Sequence, residues 1–140
     1  MAVKPLSDKP LAQRLLIKAN YRVLLVNPPE GYLNRLVSLP EGVQITTEPN
    51  GEFDLIQFFA SEKIVISRRV SSLLALVKPG GIFWVSYPKK TAKVDTDLDR
   101  EVVWEAMQTT GWRAVTQISV DDTWSALRFR PESEGKKAAD

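Results

Sequence analysis

Apolar residues fall along this chain in short blocks of two alternating kinds. The runs Tyr21-Arg22-Val23-Leu24-Leu25-Val26, Phe53–Phe59 and Ile82-Phe83-Trp84-Val85 are largely apolar on both faces, the pattern of strands buried inside a parallel sheet. Between them lie stretches with apolar residues at helical spacing. Residues 10–18 place Leu11, Leu15 and Leu16 on one side, and residues 32–39 carry Leu33, Leu36 and Val37. A longer helix, from a Ser61 cap to Val77, lines up Ile66, Val70, Leu73 and Val77 in one stripe. Residues 43–47 are β-branched enough for a strand, so the chain begins with a strand, a short helix and a strand in a right-handed crossover. Lys78-Pro79-Gly80-Gly81 is expected to stop the long helix. Asp97 can cap a helix over residues 98–110 that Gly111 ends, and residues 112–120 and 123–130 alternate as two strands of a hairpin around Asp121-Asp122. The sum is an α/β fold: a mostly parallel sheet of about six strands, helices on both faces and an antiparallel C-terminal hairpin.

Composition narrows this picture more by exclusion than by assignment. With 140 residues, 44% of them hydrophobic and 26% charged, the chain fits one globular domain over residues 1–130, followed by a polar tail, 131–140, expected to be disordered. A formal charge of +2 gives no general field for nucleic acid or a membrane surface, so neither partner is expected. The absence of cysteine removes disulfides, thiolate metal sites and thiol nucleophiles. The absence of histidine removes the commonest metal ligand and general base, so no metal site is expected. Leu15-Leu16-Ile17, the apolar cluster behind a polar N-terminus, is too short for a signal peptide or a membrane span, and the expectation is a cytoplasmic protein.

In open parallel sheets ligands collect beyond the carboxyl ends of the strands, where strand order reverses. That rule gathers the loops 27–32, 60–62 and 86–93, and the hairpin tip joins them if the final hairpin runs back to the same edge. The ligand candidates there are Asn27, Glu30, Gly31, Tyr87, Lys89, Lys90, Asp121, Asp122 and Trp124. Lys89, Lys90 and Lys93 either hold a phosphate or carboxylate or pair with Asp95, Asp97, Asp121 and Asp122. Asp121-Asp122 are paired acids or plain turn residues, and Trp124 stacks on a ligand or packs under a helix. Trp104 stands off the apolar arc Leu98, Val102, Val103 and Ala106, which makes it a candidate for a protein interface, with a sheet-rim position as the other reading. Asn27-Pro28-Pro29-Glu30-Gly31 occupies the place of a glycine-rich loop, yet Pro28 and Pro29 have no N–H to offer an anionic ligand.

Leu76 to Val85, reading LVKPGGIFWV, resembles the "LKPGG" turn and following strand of class I methyltransferases, and Phe53-Asp54-Leu55-Ile56-Gln57 resembles their "FD-L-I" strand. The resemblance implies a Rossmann-like, methyltransferase-like sheet and S-adenosylmethionine as cofactor, with Glu48 where the ribose-binding acid would lie. Two departures disfavour that cofactor: the proline pair after the first strand, and the five residues between Thr47 and Phe53, too few for the helix and strand that line the adenine pocket. Asn27-Pro28-Pro29 also matches the start of the "NPPY" signature of amino-group methyltransferases, but it follows the first strand rather than the fourth, and Glu30 replaces the aromatic. Residues 11–130, with Pro29-Glu30-Gly31-Tyr32, Ser86-Tyr87-Pro88-Lys89 and the hairpin wording, are similar as well to a small bacterial family of unknown function, which carries no activity with it. The expectation is a degenerate methyltransferase-like module, without methyl transfer, that binds a protein partner, itself or a small ligand. The alternative is a minimal S-adenosylmethionine-dependent methyltransferase, or another small-molecule enzyme, with its site at the carboxyl edge.

Overall fold

The computed structural model describes residues 9–132. One six-stranded sheet, in the order β2-β1-β3-β4-β6-β5, organises them. Its strands are β1 (Arg22–Val26), β2 (Gln44–Thr46), β3 (Phe53–Phe59), β4 (Val77–Pro88), β5 (Trp112–Ser119) and β6 (Trp124–Pro131). β1 to β4 run parallel, and β6 inserts antiparallel between β4 and β5. The double-sided apolar runs are the buried centre: Val23 to Val26, Phe53, Leu55 to Phe59 and Phe83 to Val85 are all buried.

Helices α1 (Leu11–Arg14) and α2 (Tyr32–Arg35) close one face, with Leu15, Tyr32 and Leu36 packed among Val23, Leu25, Leu55, Phe59 and Trp84. Helices α3 (Lys63–Leu74) and α4 (Arg100–Met107) close the other, where Ile66, Val70, Leu73, Val103 and Met107 meet Leu24, Phe58, Phe83 and Phe129. The α/β architecture with helices on both faces and an antiparallel final hairpin is therefore the one expected.

Several boundaries differ, each for a local reason. The helix expected over 10–18 is one turn, because Leu16 adopts a left-handed φ of 71° and the Trp84 indole N–H takes the freed Leu15 carbonyl at 3.0 Å. α2 also stops after one turn, so Leu33 and Val37, expected inside, are 53% and 61% exposed, while Tyr32 is buried beside Leu36. α3 starts after Glu62 rather than at Ser61, and its Lys63 N–H is accepted at 2.8 Å by Asp97 from a distant loop. Asp97 is thus not the cap of α4; Asp99 is, accepting from the Val102 N–H at 2.9 Å. Lys78-Pro79-Gly80-Gly81 does not follow the helix but lies within β4, where a register irregularity opposite Phe53 and Leu55 absorbs Gly80 at φ 80°. Val77 consequently pairs with Phe53 instead of ending the helical stripe, and Ser86 to Pro88 belong to the strand rather than to the basic loop.

The short connection after β2 is a tight turn, with the Asn50 N–H donating to the Glu48 carbonyl at 2.8 Å and Gly51 at φ 91°. It leaves β2 as the sheet's edge. At the other end β6 runs to Pro131 and the Glu132 N–H donates to the Gly111 carbonyl at 2.7 Å; the expected tail, from residue 133 on, falls outside the described residues.

Candidate functional site

The order β2-β1-β3 reverses the direction of strand addition between β1 and β3, so the crevice that could take a ligand opens where these two strands end. β1 ends at Asn27, which is exposed and left-handed at φ 56°. Its Nδ2 donates to the Phe59 carbonyl at 3.4 Å, a long bond that spans the crevice. The proline pair then turns the chain so that the Tyr32 N–H reaches the Pro29 carbonyl at 3.0 Å, with Glu30 and Gly31 on the outside and Gly31 at φ 80° entering α2.

That turn delivers Tyr32 into the sheet. Its ring meets Phe59 edge-on at 4.8 Å, and its hydroxyl donates to Gln57 Oε1 at 2.7 Å. Gln57 Nε2 donates in turn to Ser86 Oγ at 2.9 Å. Burial pushes the Tyr32 hydroxyl well above the ordinary tyrosine range, so it is a neutral donor and not a base. On the far side of Phe59 stands Trp124, edge-on at 5.1 Å. Two aromatics thus flank Phe59; Trp124 lines the crevice and also packs against the core cluster beneath α1 and α2.

Arg35 bridges the same region from above. Its guanidinium lies over the Tyr32 ring at 5.4 Å and forms an ion pair with Asp121. Asp121 Oδ1 accepts the N–H groups of Thr123 and Trp124, both at 2.8 Å. Partial burial pushes the Asp121 carboxyl up, but the two backbone N–H groups and Arg35 outweigh it and hold the carboxyl below its usual range. The two backbone bonds hold the hairpin tip together, and Arg35 fastens it to α2. Asp122 is exposed beside it and joins none of the bonds described for Asp121.

The basic stretch is partly committed. Lys89 Nζ donates to Ser119 Oγ at 2.6 Å, Lys90 lies 3.8 Å from the Asp99 carboxylate, and Lys93 is exposed at φ 58°. Lys89 and Lys90 line a hollow of 320 Å³ with Asp97 and Asp99, and a second of 270 Å³ with Tyr87, Arg100 and Ser125. The Tyr87 hydroxyl is raised above its ordinary range, by burial first. Glu48 is exposed, in the bend two residues past Thr46, where β2 ends.

The crevice itself, lined by Asn27, Phe59, Ala60, Ser61, Val65 and Trp124, measures 170 Å³. A larger cleft of 510 Å³ lies away from it, between α4 and β5, where Trp104 is 49% exposed beside Arg100, Glu101, Ala114 and Thr116. Of the sequence candidates, then, Asn27 and Trp124 share the crevice, and Tyr87, Lys89 and Lys90 share a neighbouring hollow; Glu30, Gly31, Glu48 and Asp122 line none of these spaces. Sequence reasoning missed Tyr32, Arg35, Gln57 and Phe59. Gln57 left a trace, as the lone amide within the apolar run from Leu55 to Phe59; the reach of Arg35 to Asp121 left none. Among the described residues no group of three or more acidic side chains is placed to hold a metal ion, and no helix is long and apolar enough to cross a membrane.

No protein-family model matches the chain, and no curated protein matches it. Solved structures do. The chain is similar to DhpI in complex with SAH, at 16% identity and TM-score 0.58, covering 87% of this chain and 83% of that one. It is similar to a SAM-dependent methyltransferase from Aquifex aeolicus, at 14% identity and TM-score 0.58, covering 85% and 86%. A third likeness is to the 1,6-didemethyltoxoflavin-N1-methyltransferase of Burkholderia thailandensis with bound S-adenosylhomocysteine, at 15% identity and TM-score 0.57, covering 86% and 74%. The fold is methyltransferase-like, and at these identities the likeness speaks for the fold alone.

Proposed function

We propose that this chain is a methyltransferase-fold module that does not transfer methyl groups and works instead by protein contact at the Trp104 cleft. The observation that carries the reading is a contrast of cavities. The crevice at the β1/β3 switch point holds 170 Å³, with Phe59 and Trp124 in its lining and Tyr32 packed against Phe59, whereas small-molecule sites span roughly 300–1,000 Å³. The cleft beside Trp104 holds 510 Å³ and displays a half-exposed tryptophan, the residue type most enriched at interface hot spots. Its chemistry suits a second copy of this chain. Arg100 and Glu101 line it side by side with opposite charge, so a two-fold operator would set each against its complement.

Calorimetric titration with S-adenosylhomocysteine tests the first half of the proposal, with Glu48→Ala as control. No heat at millimolar ligand is the expected result. Glu48 favours the other reading, a minimal methyltransferase, because it stands exposed at the carboxyl end of the strand beside β1, where a ribose could reach it. Micromolar binding that disappears in Glu48→Ala would establish that reading and remove this one.

A further inference from the structure

The end of β4, the start of α4 and the first residues of β6 border the hollow of 270 Å³ in which Tyr87, Lys89, Lys90, Asp99, Arg100 and Ser125 meet. Three of these side chains are cations and one is an acid, so positive charge is in excess. The other acids near this stretch are turned elsewhere. Asp97 accepts the Lys63 N–H at 2.8 Å, and Asp121 is held by Arg35 and by the backbone of the hairpin tip. Asp95 is exposed and lines neither hollow of the basic stretch. Asp99 commits Oδ1 to the Val102 N–H, and its other oxygen lies 3.8 Å from Lys90, a loose pair. Lys89 donates to Ser119 Oγ at 2.6 Å, a neutral partner that leaves its charge uncompensated. Arg100 takes part in no ion pair among the described residues. The side chains gather here, and not only their backbones: Arg100, Asp99 and Ser125 all act on the Tyr87 hydroxyl, which burial first of all raises above its ordinary range. That hydroxyl is therefore a neutral O–H donor at physiological pH.

We infer that this hollow binds a phosphate group, held by Lys89, Lys90 and Arg100, with the Tyr87 and Ser125 hydroxyls as further donors. A carboxylate is already present, in Asp99, and leaves the three cations in excess. A phosphate monoester brings about −1.5 to −2 at neutral pH and three acceptor oxygens, which suits several donors around one small space. The adjoining hollow of 320 Å³ shares Lys89, Lys90 and Asp99 with this one and adds Asp97, whose carboxylate can accept from hydroxyl groups. The ligand class is thus a small hydroxyl-bearing phosphate monoester or the free ion.

The experiment is a two-dimensional amide NMR titration of the whole protein at constant pH with inorganic phosphate, glycerol phosphate and acetate, each against sodium chloride of equal ionic strength. Both phosphates should give saturating shifts at the amides of Lys90, Thr91, Arg100 and Ser125 that chloride does not, and acetate should bind more weakly. Lys90→Gln and Arg100→Gln should each lower phosphate affinity about tenfold or more, the size of one lost charge-assisted hydrogen bond. Lys93→Ala, at a residue that lines neither hollow, should keep it. Lys90 and Arg100 are exposed, so both variants keep the fold. Arg100 also borders the Trp104 cleft but Lys90 does not, so a loss common to both variants belongs to this hollow. Tighter binding of glycerol phosphate than of inorganic phosphate marks an ester as the ligand, and equal or weaker binding marks the free ion; either upholds the site. No saturating shifts, an affinity that both variants keep, or acetate binding as tightly as phosphate overturns the inference.

Discussion

The Tyr32 hydroxyl is bonded inside the sheet's face, and Gln57, fully buried, links it to Ser86. Tyr32→Phe keeps the ring against Phe59 but leaves Gln57 Oε1 without its donor, which should cost about 1–3 kcal/mol, the usual cost of orphaning a buried polar group. Urea unfolding would read it as a lower midpoint with an unchanged slope; an unchanged midpoint would mean that the chain of bonds contributes nothing. Asp121 gives a pH signature. Its folded-state pKa lies below the unfolded value of about 3.9, so its contribution is complete above that range and is lost as pH falls through the lower folded value. Asp121→Asn should therefore be less stable than the parent at neutral pH, with the gap closing on acidification, and pH-dependent thermal melts would check it. A gap independent of pH would assign the loss to hairpin-tip geometry. At this scale the sequence was only half legible. Trp124 and Asn27 were found as edge residues from the switch-point rule, but the Arg35–Asp121 pair joins positions 86 residues apart and nothing local encodes it.

Helix ends show the same limit one level up. Asp97 and Asp99 are both acids ahead of an apolar stripe, and spacing alone favours the first as the cap of α4; folding assigns Asp99 to α4 and turns Asp97 toward α3. Asp99→Ala should cost about 0.5–2 kcal/mol, the usual range for an N-cap. Asp97→Ala should instead uncouple the start of α3 from the loop before α4, seen as faster hydrogen exchange at the Lys63 amide, and unchanged exchange would reject the long-range cap. The central strands were legible because their runs are largely apolar, with Asp54 and Gln57 the polar positions of β3. The PGG turn was misread for a physical reason: a Pro-Gly pair ends helices, yet it also fits an irregular sheet position. Gly81 fits there because an added Cβ would lie 2.6 Å from Val77 Cγ1 and 2.9 Å from the Lys78 carbonyl. Gly81→Ala should thus be destabilising by about 1–3 kcal/mol, as overpacked sites are, and a neutral variant would show that the strand can yield.

Across the whole molecule, two sheet edges remain, and they differ. β2 is three residues long and is followed by Pro49, which discourages pairing with another chain. β5 is eight residues long, carries a register irregularity between Ala114 and Thr116, and stands beside the cleft of Trp104. The largest of the described cavities lies on this flank rather than at the carboxyl edge. If a second copy docks there, light scattering should give twice the 15.7 kDa of the chain at high concentration, falling to 15.7 kDa on dilution. Trp104→Ala should be monomeric throughout, and because the side chain is half exposed, its own stability should fall by less than the roughly 3–5 kcal/mol of a buried tryptophan. The charge pairing makes a sharper demand. Arg100→Glu alone sets like charges together and should separate the copies, while Arg100→Glu combined with Glu101→Arg restores opposite charges across the two-fold and should bring them back. A parent protein that stays at 15.7 kDa at every concentration would end the case for self-contact and leave Trp104 to some other partner.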